Sequence, residues 1–314
     1  MPVSSSRRLA PPLITGVCLI FLAGCGSSSD SGSGGDASQS PAAASVIPVV
    51  ASTNVYGDMA EQIGGGKVAV TSIISDPDQD PHSYEANTQN QLALSKAKVV
   101  IENGGGYDDF VDRMLKSSDN SSPEVINAVK VSGKSAPAGG ELNEHVWYDF
   151  PTAAKLADRI AAALAKADPD DAATFTGKAK AFKEKLTSLE QKEARIKVDH
   201  GGEAVAITEP VPLYLLEASG LRNATPEAFS EAIEEGDDVS PRTLRDTLAL
   251  FTGKKVKALV YNEQTSGPQT EKAEQAAKTA GIPVVPVTET LPKGKDYVGW
   301  MTANVDALAS ALAK

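Results

Sequence analysis

The sequence predicts an α/β protein of two lobes, each built on a parallel sheet, with one long spine helix joining them. Three observations carry that expectation. Short β-branched runs alternate with amphipathic stretches before residue 170, the same alternation returns after residue 200, and one long helical pattern lies between.

Ahead of the lobes, the chain opens with Arg7 and Arg8, continues through an apolar stretch over residues 9–22 and reaches Leu22-Ala23-Gly24-Cys25. A charged start, a short apolar run and small residues at its end are the parts of a cleaved export signal, expected over residues 1–24. The run is shorter than the roughly 20 residues a membrane-spanning helix needs. The tetrad resembles the bacterial lipobox, so Cys25 is expected to carry a lipid and to begin the mature chain. Acylation of both the thiol and the new amino terminus would give the two chains that stable anchoring needs. Residues 25–46 are Ser, Gly, Ala, Asp and Pro with almost no large apolar side chain, which fits a flexible tether.

In the first lobe, residues 47–168, strands are expected at Ile47–Thr53, Val68–Ile74 and Val99–Glu102, with helical stretches near residues 59–63 and 89–95. The linking helix is expected over residues 169–200. Phe175, Ala179, Phe182, Leu186, Leu189 and Ile196 recur at helical spacing, interrupted only by Glu193, and Pro169 with Asp170 and Asp171 marks the start. About 28 helical residues span about 40 Å, long enough to run along both lobes; packing on one lobe alone is the alternative. In the second lobe, residues 201–314, strands are expected at 204–208, 256–261 and 283–287, with a helix over 268–280.

The composition narrows the function. Formal net charge is −11, and the two arginines of the signal leave with it, so the mature chain stands near −13. An acidic surface disfavours nucleic acid and anionic membrane as partners, leaving membrane contact to the lipid anchor, and weakly favours cations. Cys18 leaves with the signal and Cys25 is the lipid site, so the folded part has no disulfide and depends on its core. No GxGxxG, GxxxxGK[ST], CxxC or GxSxG occurs, which removes the sequence basis for nucleotide binding, thiol redox and serine hydrolysis.

Three histidines occur, His82, His145 and His200. His82 lies in Asp80-Pro81-His82-Ser83-Tyr84-Glu85 beyond the second expected strand, and His145 in His145-Val146-Trp147-Tyr148-Asp149 before a helix. In the second lobe, Glu209 and Glu289 each follow an expected strand. Open α/β sheets bind ligands outside their strand ends, and two imidazoles with two carboxylates suit a divalent first-row ion.

Several ordered segments carry a resemblance. They are Ala51-Ser-Thr-Asn-Val-Tyr-Gly-Asp-Met-Ala-Glu-Gln-Ile-Gly-Gly65, Asp80-Pro-His-Ser-Tyr-Glu85, Glu102-Asn-Gly-Gly105, His145-Val-Trp-Tyr-Asp149 and residues 297–304. Together they resemble the cluster A-I substrate-binding proteins, the zinc and manganese solute-binding family, over the chain from residue 47. The resemblance implies a periplasmic-binding-protein-like fold of class III that works as a single copy. It implies an extracytoplasmic lipoprotein that hands one divalent metal ion to the membrane permease of an ABC importer, and no enzyme.

Carried over by position, the ligands fall on His82, His145, Glu209 and Glu289. Glu289 departs from the family's usual aspartate, so Glu263 or a water stays open as the fourth ligand. Tyr84, Glu85, Trp147 and Asp149 flank the ligands and are candidates for orienting them. His200 matches no ligand position and is expected to be structural. Two carboxylates favour Mn2+ or Fe2+, and the loop over residues 117–143 contains no histidine, yet the Irving–Williams order keeps Zn2+ in play. A secreted metallohydrolase and a surface adhesion lipoprotein with incidental metal are the rival readings; the first lacks an HExxH motif.

Overall fold

The first strand, β1 (Ile47–Thr53), begins one residue inside the structure, a computed structural model that describes residues 46–76, 84, 87–138 and 140–314. The signal, Cys25, nearly all of the tether, His82 and Glu85 lie outside the described residues. After β1 come α1 (Asn54–Gly64), β2 (Val68–Ile74), α2 (Thr88–Lys96), β3 (Val99–Glu102), α3 (Asp109–Lys116), β4 (Glu124–Asn127), α4 (Ala128–Ser132) and α5 (Phe150–Ala167). The long helix α6 (Ala172–His200) follows. The second half comprises β5 (Ala204–Ile207), α7 (Leu213–Ala218), β6 (Arg222–Asn223), α8 (Glu227–Glu234), α9 (Pro241–Thr252), β7 (Leu259–Asn262), α10 (Pro268–Thr279), β8 (Val284–Val287) and α11 (Tyr297–Leu312).

Every strand pairing is parallel, and the two sheets have matching orders, β2-β1-β3-β4 and β6-β5-β7-β8. The two-residue alternation of a strand decides which core each side chain enters. Val49 and Ala51 of β1 and Val99 and Ile101 of β3 point into a central core, while Val50 and Val100 point outward to Leu94, Phe110 and Met114. In the second lobe Val205, Ile207, Val260 and Val285 point to the same central core, and Ala206, Leu259 and Tyr261 point outward to Phe229 and Phe251. Buried on both faces, these strands read as continuous apolar runs, as parallel sheets require.

Helix α6 fills the seam. Phe175, Ala179, Phe182, Leu186, Leu189 and Ile196 are all buried, and the helix packs on α1 and α5 of the first lobe and on α7 of the second. It therefore serves both lobes, and packing on one lobe alone is ruled out. Its 29 residues span about 43 Å at 1.5 Å each. Glu193, read from sequence as a break in the apolar face, is buried in that face at 4 % exposure. Local signals set the other helix starts. Asp149 accepts from Thr152 N and caps α5, which carries Pro151 in its first turn, Asn87 caps α2, and Asp296 caps α11.

The sequence reading missed β4 and β6: both are edge strands, β4 with Ile126 alone buried and β6 only two residues long, so neither shows the apolar run of the other strands. It also started β7 three residues early: Val256 is buried, but sheet pairing begins only at Leu259. Among the described residues no helix is long and apolar enough to cross a membrane.

Candidate metal centre

In each sheet the connections run in opposite directions from a central strand, between β1 and β3 in one lobe and between β5 and β7 in the other. Such switch points open a crevice beyond the carboxyl ends of the strands. Asn103 follows β3, Glu209 follows β5, Asn262 ends β7 and Glu289 follows β8.

The Glu102-Asn-Gly-Gly105 segment builds the first wall. Gly104 and Gly105 both hold φ near +75, and a Cβ on Gly104 would strike the Asn127 side chain at 2.1 Å, so glycine is required there. The tight turn lets Asp108 accept from the backbone N–H groups of Asn103 and Gly104 at 2.6 and 2.7 Å. The Asn103 amide then donates to the carbonyl of Glu144 at 3.0 Å, fixing the residue before His145.

His145 is fully buried. Its Nδ1 lies 2.7 Å from Oδ1 of Asn143, which can only accept, so Nδ1 carries a proton and Nε2 turns to the crevice. The rings of Trp147 and Tyr107 wall the imidazole at centroid distances of 5.1 and 6.0 Å. Nε2 faces Oε2 of Glu289 at 3.8 Å. Donors bonded to one ion at about 2.1 Å stand about 3.0–3.5 Å apart, so a small inward shift lets the two share a cation.

Glu289 and Glu209 are 1 % and 2 % exposed. Their common partner is Asn262, whose amide nitrogen donates to Oε1 of Glu289 at 2.9 Å and to Oε2 of Glu209. Tyr107 OH donates to the other oxygen of Glu289 at 3.3 Å, whereas Oε1 of Glu209 has no hydrogen-bond partner among the described residues. An amide thus stands between two buried carboxylates where a positive charge would serve better.

A fourth group, unread from the sequence, is Glu234 at the end of α8. Its Oε1 lies 3.7 Å from Nδ1 of His145, and Glu144, His145 and Glu234 offer ligand atoms within 4.8 Å of one another. Glu144 and Glu234 also line a cavity of about 370 Å³ together with Glu141, Glu227, Glu231 and Glu235. Glu144 and Glu234 thus border both this acid-lined cavity and the imidazole.

The electrostatics follow from burial. Burial lifts Glu209 to about 7, with the charge of Glu289 adding to it. Burial also lifts Glu234 to about 8; His145 opposes this, while Glu144, Glu209 and Glu289 reinforce it. For His145, burial alone would lower the value, but Glu289, Glu234 and Glu144 outweigh it and hold the imidazole at about 9. A site of buried acids around a protonated imidazole holds protons that a cation can replace.

The remaining candidates separate by position. Trp147 is beside His145. Asp149 caps α5 and pairs with Lys134 at 3.1 Å, which is a structural place. Tyr84 stacks on Phe110 at 4.5 Å and its hydroxyl accepts from Asn90, so its described contacts belong to the outer core of the first lobe. Glu263 is exposed, one residue past the buried Asn262. His200 ends α6, 3.3 Å from Glu203.

The family described as zinc-uptake complex component A, periplasmic, matches residues 49–311. Among curated proteins, the chain is 28 % identical to the manganese-binding lipoprotein MntA of Bacillus subtilis, covering 93 % of this chain and 95 % of that one. It is 26 % identical to the manganese ABC transporter substrate-binding lipoprotein scaA of Streptococcus gordonii, over 88 % of this chain and 92 % of the relative. Among solved structures, the periplasmic zinc-binding protein TroA of Treponema pallidum shares the fold with a TM-score of 0.72 at 20 % identity, over 85 % of this chain and all of that one.

Proposed function

The chain belongs to the family of the periplasmic zinc-uptake component A, and from that membership we propose that it captures one divalent transition-metal ion outside the cytoplasm and delivers it to an ABC importer. The observation that carries this reading is the convergence of His145 from one lobe with Glu289 and Glu209 from the other, the two carboxylates sharing the single amide of Asn262.

In this reading His145, Glu209 and Glu289 ligate the ion and His82 supplies the fourth donor. Binding replaces the protons held by the site, and the Asn262 amide yields its place between the carboxylates to the cation. No bond of the cargo is made or broken. Two carboxylates tilt the site toward Mn2+ or Fe2+, while Zn2+ binds at least as tightly in a simple competition because of the Irving–Williams order. Capture needs only a small tilt or loop movement, because α6 packs on both lobes.

The protein is proposed to act as a single copy held to the membrane by lipid on Cys25, with residues 25–46 as tether, lobes at 47–168 and 201–314, and the linking helix at 169–200. The importer's permease is the partner that reopens the site. Protein purified without chelators and analysed by elemental mass spectrometry tests the reading. About one equivalent of Mn2+ or Zn2+ is expected, lost in His145→Ala and in His82→Ala, and Glu209→His should shift competition titrations toward Zn2+. Metal-free protein that takes up neither ion in titration would overturn it.

A further inference from the structure

The backbone on either side of Glu289 is divided between the two lobes. From the second lobe, Oε1 of Gln264 accepts from the N–H groups of Glu289 and Thr290 at 2.6 and 3.0 Å. From the first lobe, Tyr148 OH donates to the carbonyl of Thr288 at 2.7 Å, and Asp58 accepts from the N–H of Tyr297 at 2.8 Å. Between those two contacts stands Asn54, the first residue of α1, at the carboxyl end of β1. Its Nδ2 donates to the carbonyl of Leu291 at 2.9 Å, and its Oδ1 accepts from the N–H of the same residue at 2.8 Å.

A primary amide is the short side chain that offers one donor and one acceptor side by side, the complement of one residue's N–H and C=O. Asn54 uses both on Leu291, two positions beyond Glu289 and 237 residues away in sequence. Asn54 is the first helical residue, after the N-cap Thr53, so its side chain does not cap α1 and reaches across the cleft.

Resting on the function proposed above, we propose that Asn54 is an inter-lobe latch: a positioning residue whose paired hydrogen bonds with Leu291 hold the loop of Glu289 closed over the ion and set the rate of its release. The latch touches neither ion nor ligand. It acts by keeping Glu289 within reach of His145, 3.8 Å away, while Gln264 ties the same loop to the second lobe. Losing it removes the first-lobe grip on the middle of the loop, leaving Tyr148 on Thr288 and Asp58 on Tyr297 at its two ends, and so loosens the carboxylate's position.

The test is stopped-flow release of Mn2+ and Zn2+ into excess chelator, with association measured separately and amide exchange followed over residues 287–297. Asn54→Ala is expected to raise the dissociation rate about ten- to a hundredfold, the size of effect seen when a group supporting a metal ligand is removed, with association within about twofold. Exchange of the loop should quicken in the same variant, and metal-free melting should change little. Should Asn54→Ala not fold, Asn54→Asp carries the same test: it keeps the acceptor for the Leu291 N–H, sets a carboxylate against the Leu291 carbonyl, and is expected to release faster than wild type. Wild type that binds the ion, together with variants whose release and loop exchange match it, overturns the latch alone. Wild type that binds neither ion overturns the proposed function and the latch with it.

Discussion

Nδ1 of His145 and Oε1 of Glu234 stand 3.7 Å apart, the imidazole contributed by the first lobe and the carboxylate by the second. The contact lies on the side of the ring away from Glu289, so in the proposed site the charge of Glu234 would strengthen the imidazole as a donor without occupying Nε2. Glu234→Gln is expected to weaken Mn2+ binding about tenfold at pH 8. Because burial lifts Glu234 to about 8, its carboxyl is already neutral at pH 6 and the penalty should shrink there, as competition titrations at the two pH values would read. An unchanged affinity at both would remove Glu234 from the site.

Proton release is the second expectation. Glu209 at about 7, Glu234 at about 8 and His145 at about 9 all hold protons near neutrality that a bound cation displaces. Affinity should fall as pH drops through this window, about tenfold per pH unit for each proton displaced. Calorimetry in buffers of different ionisation heat would count the protons directly. Binding heats independent of buffer, with one affinity from pH 6 to 8, would contradict the assignment.

Asn262→Ala separates the empty state from the loaded one. Its amide is the shared donor to Glu209 and Glu289, and hydrogen bonds to charged groups contribute roughly 1.5–3 kcal/mol each. Metal-free protein should melt about 10 °C lower, and saturating metal should recover most of the loss because in the proposed site the ion replaces the amide between the carboxylates. A drop of equal size in both states would mean that Asn262 supports the fold in general.

Glu193 gives a stability prediction remote from the site. Burial, with the charges of Glu190 and Asp149 adding, lifts its carboxyl to about 8 from an ordinary 4.5. The folded state thus holds the proton more tightly than the unfolded state, and this group's contribution to stability falls as pH rises from 4.5 to 8. Glu193→Met removes the penalty and should raise the melting temperature, by about 1–3 kcal/mol of stability at pH 8 and far less at pH 5. Equal gains at the two pH values would argue that packing, and not ionisation, is responsible.

The two-lobe architecture was legible because each buried parallel strand is an apolar run and α6 keeps its apolar spacing from Phe175 to Ile196. Strand-end reasoning also named His145, Glu209 and Glu289, which the fold does bring together. Asn262 escaped because the sequence ends β7 at Tyr261, and one residue of pleat decides whether Asn262 or Glu263 turns inward. Glu234 escaped for another reason: it is one of several acids on α8 and just beyond, and only the packing of that helix selects it. The bonds of Asn54 and Asn143 across the cleft depend on how the lobes meet, which no local pattern encodes.

Helix α6 also acts as a spacer that fixes the phase of one lobe against the other. Each residue inserted into an α-helix turns everything beyond it by about 100° and advances it by about 1.5 Å. One added residue near its middle would swing Glu209 and Glu289 around the helix axis and away from the imidazole of His145, though none of these three residues had been touched. The span from Phe175 to Ile196 is therefore where this chain tolerates a change of length least.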